Sequence, residues 1–146
     1  MENKPRVLTD GDVVDRLGKD IIILLQHHPF FAYFLSKMKK VVDTRVPIAG
    51  VSVINGDITL YINPEGYLRY RREERLFILI HEVMHVIFYH HLRKKNRHHG
   101  LWNVAADLAI NQLIETKEAH MPIDCLRLDS WEKKHGFRLP PNLSAE

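Results

Sequence analysis

One pentapeptide constrains this chain more than any other feature: His81-Glu82-Val83-Met84-His85, an H-E-x-x-H set inside a long apolar segment. At 3.6 residues per turn, positions four apart lie on one helical face, one turn above the other. Two imidazoles so placed can converge on a single zinc ion, with Zn–N bonds of about 2.0–2.1 Å. Glu82 lies about 100° around the helix, where it reaches a water on the metal without being a ligand. Leu76, Phe77, Ile78, Leu79 and Ile80 precede the motif or overlap its first turn, and Val83, Met84, Val86, Ile87 and Phe88 fill and follow it. A helix apolar on nearly all sides is a buried one. Two histidines and a glutamate there are costly unless something satisfies them. Zinc and its water do so; a metal-free His–Glu hydrogen-bond network is the bland alternative.

Catalytic zinc commonly takes three protein ligands and keeps one position open. Cys125 is the sole cysteine, so disulfides within the chain and thiolate knuckles are excluded, and the third ligand must be His, Asp or Glu. Its own bland reading is a lone buried cysteine. His91 stands at the metzincin distance from His85, but Phe88 occupies the place of the glycine that pattern needs. On a helix continuing from about Arg71 to Lys95, His91 would miss the metal. Asp107 is the better candidate. Asn103, Asp107 and Asn111 form a stripe at four-residue spacing on a second helix, about Leu101 to Lys117, whose Ala105, Ala106 and Ala109 permit close approach. Asn103 or Asn111 would then orient the ligand. A solvated face accounts for the same stripe in the bland reading.

The rest of the chain frames these helices. Helical spacing runs from residue 10 to 27, with Asp10 or Asp12 as cap, and again from Pro29 to about Val42. Val46 to Ile54 and Ile58 to Ile62 read as strands joined by the hairpin turn Asn55-Gly56. After Pro122 the tail reads as irregular or short-helical, and residues 142–146 as the start of a further helix. The 146 residues make one domain with a real core, expected to be part of a longer protein. No run approaches the roughly 18 apolar residues of a membrane span, and no signal peptide is visible, so the expected location is cytoplasmic.

The segments Leu79–His85, His90-His91-Leu92-Arg93 and Trp102–Asn111 together resemble a bacterial and phage family of metallopeptidases, in which the domain often precedes a von Willebrand factor A-like domain. The resemblance is good over residues 71–114 and extends to the hairpin at 46–62. It implies a zincin-like fold, peptidase chemistry, and Asp107, in the Ala-Ala-Asp segment, as third ligand. The expected fold is therefore α+β and mainly helical, with a small β-hairpin or sheet, and with the H-E-x-x-H helix packed on the helix that carries the third ligand.

The function expected is zinc-dependent peptide hydrolysis, with Glu82 as general base and His81, His85 and Asp107 as ligands. Related zincins hold substrate on a sheet edge, which would here be Ile58, Thr59, Leu60, Tyr61 and Ile62. Tyr67, Tyr89, His120 and Arg93 are candidates for stabilising the oxyanion. A peptide or protein is the expected partner, with no membrane role. One rival is a metal-holding but inactive interaction scaffold. Another is nucleic-acid binding through Arg93-Lys94-Lys95-Asn96-Arg97-His98-His99 and Arg69-Arg71-Arg72-Arg75; the net charge of +3 does not favour it.

Overall fold

The computed structural model describes residues 9–114, 116–136, 138 and 144–145. Helix α1 (Asp10–His27) opens on a capping box in which Thr9 Oγ1 accepts from the Asp12 amide while the Asp12 carboxylate accepts from Thr9 N. It ends where His28-Pro29 forbids helical dihedrals, and Pro29 starts α2 (Pro29–Lys37).

Helix α2 stops five residues short of the expected Val42. Lys39–Val42 is instead a strand, β1, pairing in parallel with residues 59–62. Its β-branched pair Val41-Val42 fits a pleated surface better than a helix. Strands β2 (Ala49–Ile54) and β3 (Asp57–Ile62) form the expected antiparallel hairpin. Its turn residues Asn55 and Gly56 sit at φ 52° and 86°, the left-handed pair that a two-residue hairpin turn demands. The sheet order is β1-β3-β2. Ile58 to Ile62 is therefore the central strand, not an edge. Its backbone is occupied by neighbours on both sides, so the expectation that it receives substrate is corrected.

A short helix, α3 (Pro64–Leu68), follows and clamps the approach to β2. Asn63 Nδ2 donates to Val46 O at 2.9 Å, and Asn63 N donates to Ile48 O at 2.9 Å. A Cβ on Gly66 would lie 1.9 Å from the Pro47 carbonyl oxygen, so only glycine allows this contact.

Helix α4 (Arg72–Ile87) is the hub. It packs on α1, α2, β2, α5 (His90–Arg93) and α6 (His99–Asn111). Leu76, Phe77, Leu79, Ile80 and Val83 are fully buried, as an all-round apolar helix requires. Its first turn is pinned by Arg75, whose Nε and Nη2 donate to the two oxygens of Asp20 at 2.7 and 3.1 Å. Tyr67 Oη donates to the same carboxylate at 2.8 Å.

The expected helix from Arg71 to Lys95 is two helices. Tyr89 takes a left-handed conformation (φ 52°, ψ 33°) after the Phe88 cap, and the chain turns into α5. The second expected helix also ends early, at Asn111 rather than Lys117. Helix α7 (Leu128–His135) is the short helix of the tail. The helix start expected over residues 142–146 falls largely outside the described residues. Among those described, no helix is long and apolar enough to cross a membrane.

Candidate metal centre

The third and fourth turns of α4 carry His81 and His85 on one face, and α6 brings Asp107 to the same point. His81 Nε2 and His85 Nε2 are 3.0 Å apart, and Asp107 Oδ1 lies 3.3 Å from the first and 3.1 Å from the second. Ligand atoms about 2.05 Å from a tetrahedral zinc stand roughly 3.3 Å from one another. Among the described residues this is the group able to hold a metal ion.

The outer nitrogens of both rings are engaged. His81 Nδ1–H donates to Asn111 Oδ1 at 2.7 Å, and the Asn111 amide donates in turn to Leu126 O at 2.8 Å, which fixes which way the amide faces. That leaves the His81 Nε2 lone pair aimed inward. His85 Nδ1 shares a hydrogen bond of 3.1 Å with Nδ1 of His90. The His81 Nε2 lone pair and the Asp107 carboxylate oxygen meet His85 Nε2 at one point, where a shared cation or proton satisfies all three. The residues fit a metal.

Burial works against a charge on His81, yet its hydrogen bond to the Asp107 carboxylate and the charges of Glu82 and Asp107 outweigh it and raise its pKa. Burial alone would raise the Asp107 pKa as well, but the hydrogen bonds to His81 and His85 bring it well below the carboxylate range. Glu82 is buried beside them, and burial raises its pKa despite both imidazoles.

The polar stripe on α6 is graded from core to surface. Asn111 is buried, Asp107 partly exposed and Asn103 exposed. Asn111 orients His81 rather than Asp107. Asn103 is not engaged with the ligands; its amide donates to His99 Nε2 at 3.2 Å. His91 is exposed and outside the ligand group even though the chain turns before it.

The histidine that matters beyond the motif is His90. It is buried, its ring stacks on Phe88, and its carbonyl accepts from Trp102 Nε1 at 3.0 Å. Its five-residue offset from His85 gave no signal, because only the left-handed turn at Tyr89 folds it back.

A groove of about 490 Å³ opens over the ligand group. Ala49, Gly50, Val51 and Val53 line it from β2, with Pro47 just before the strand, and Glu82 and the ligands form its floor. Among the described residues, strand β2 has a strand neighbour on one side only. None of Tyr67, Tyr89, His120 and Arg93 lines this groove. Tyr67 is spent on Asp20, His120 Nε2 on Lys117 O, and Arg93 on Phe88 O. The basic cluster at the start of α4 is largely neutralised: Arg75 is buried against Asp20, while Arg69, Arg71 and Arg72 face Asp124, Glu74 and Glu73 at 3.7, 3.6 and 3.3 Å.

Residues 14–146 match the model of a family described as "Putative metallopeptidase domain". The chain belongs to this family. Membership in a metallopeptidase-domain family implies a metal, and His81, His85 and Asp107 can hold one. A protein of Thermotoga maritima, described as "Uncharacterized protein", is 32% identical over 133 residues, which cover 87% of this chain and 34% of that protein. The metallopeptidase-like chain thus spans about a third of the length of that relative. No solved structure matches it.

Proposed function

We propose that this chain is a zinc-dependent peptidase domain in which His81, His85 and Asp107 hold the ion and Glu82 is the general base. The observation that carries this reading is the convergence of two imidazole Nε2 atoms and one carboxylate oxygen within 3.3 Å, at the floor of a groove that Glu82 also lines. When bound, zinc supplies Lewis acidity to a substrate carbonyl and to a water molecule. Glu82 accepts the proton of the attacking water and returns it to the leaving amine. Its buried position excludes competing solvent and keeps its basicity above that of a surface glutamate. Asn111 and His90 hold the two rings so that Nε2 of each faces Asp107.

The substrate lies along β2 rather than β3. This open edge can accept an extended peptide by main-chain hydrogen bonds, and the small side chains of Ala49 and Gly50 leave room for it. The test is elemental analysis of the purified protein together with cleavage of a peptide library, with and without chelator. Stoichiometric zinc and chelator-sensitive cleavage, abolished in Glu82→Gln, are expected. Stoichiometric metal with no cleavage of any peptide would turn the reading toward an inactive scaffold.

A further inference from the structure

The groove lining divides by element. Strand β2 contributes apolar or backbone surface, whereas the α5–α6 segment contributes His91, Lys94, His99 and Asn103. The groove's carboxylates, Glu82 and Asp107, are both at its floor. The sequence has no acidic residue between these two positions, but it has Arg93, Lys94, Lys95 and Arg97. Lys94 is half-buried, and among the described residues its ammonium has no ion-pair partner. A partly desolvated, unpaired cation beside a groove is satisfied by an anion that the groove receives.

We infer that the α5–α6 wall is a carboxylate-recognising subsite, with Lys94 as its specificity-determining residue, and that the groove selects peptides bearing a carboxylate close to the reacting bond. This rests on the peptidase reading and names its substrate class. The carboxylate can be an acidic side chain or the free end of the peptide. His91, His99 and the Asn103 amide supply further polar contacts along the same wall.

The experiment uses terminally blocked peptides that differ only in Glu against Gln beside the cleaved bond, plus a Gln peptide with a free C-terminus. The zinc-loaded protein is expected to cleave a carboxylate-bearing member with kcat/KM about two- to fivefold that of the blocked Gln peptide. Lys94→Glu is expected to reverse that order. An advantage seen with Glu assigns the side chain, one seen only with the free end assigns the terminus, and both support the subsite. Equal cleavage, or a preference that persists in Lys94→Glu, overturns it.

Binding of the same peptides to Glu82→Gln, followed by fluorescence anisotropy, separates this inference from the peptidase reading. Carboxylate-selective binding that Lys94→Glu abolishes, without turnover by the wild type, keeps the subsite and rejects the peptidase. Turnover without selectivity does the reverse. Absence of both binding and turnover rejects both. Tighter binding of a single-stranded oligonucleotide of equal charge overturns the subsite in favour of a phosphate-binding surface.

Discussion

Asn111 Oδ1 accepts the Nδ1 proton of His81 at 2.7 Å, tying the end of α6 to the centre of α4. Its other arm is held by the Leu126 carbonyl, so the side chain is a rigid strut rather than a passing contact. Asn111→Leu removes the acceptor that selects the His81 tautomer. Metal affinity should fall about 10–100-fold, measured by chelator competition. Unchanged affinity would show that His81 needs no such support.

Glu82→Gln keeps the shape of the side chain and removes its basicity. Zinc content by elemental analysis should be unchanged, while kcat falls by about 10²–10⁴-fold. Retained turnover would assign the base elsewhere.

Asp107→Ala leaves the two imidazoles without their carboxylate. Zinc should then be lost on dialysis under conditions in which the wild type retains it, because a two-ligand site is incomplete. Equal metal content in the two proteins would remove Asp107 from the ligand set.

The ion pair of Arg75 and Asp20 predicts a stability effect away from the chemistry. Both side chains are buried, so Asp20→Ala strands a charge in the core. A loss of about 3–5 kcal/mol in denaturant unfolding is expected. A loss below about 1 kcal/mol would mean that Arg75 finds another partner or reaches water.

Burial, followed by the nearby Asp124 and Asp107 carboxylates, pushes the Cys125 thiol up to about 11. A raised pKa keeps the thiol protonated until the pH approaches that value, so the reactive thiolate is scarce at neutral pH. Alkylation at pH 8 should be on the order of a hundredfold slower than for an ordinary cysteine, and should accelerate as pH rises towards 11. Rapid labelling at pH 8, followed by mass spectrometry, would contradict this.

The parts legible in the sequence were those set by local periodicity. The H-E-x-x-H spacing and the stripe through Asp107 each need only one helix to be read correctly, and the Asn55-Gly56 turn needs only two residues. What escaped was non-local. Lys39–Val42 becomes a strand because Thr59–Ile62 lies beside it, a pairing no local pattern announces. That same pairing moves β3 to the centre and leaves β2 as the edge over the groove. The break at Tyr89 was invisible because no glycine marks it; tyrosine occupies the left-handed region there. His90, and with it the support of His85, followed from that turn.

Gly66 gives the groove a determinant outside its own lining. The hydrogen it carries in place of a methyl lets α3 seat directly on the Pro47 carbonyl, and Pro47 leads into the strand that forms the groove wall. An alanine there would have to displace that carbonyl, and the wall of the cleft would shift with it. Access to the floor of the groove is therefore set from behind. A substitution at this glycine would change which ligands fit while leaving the metal-binding atoms untouched.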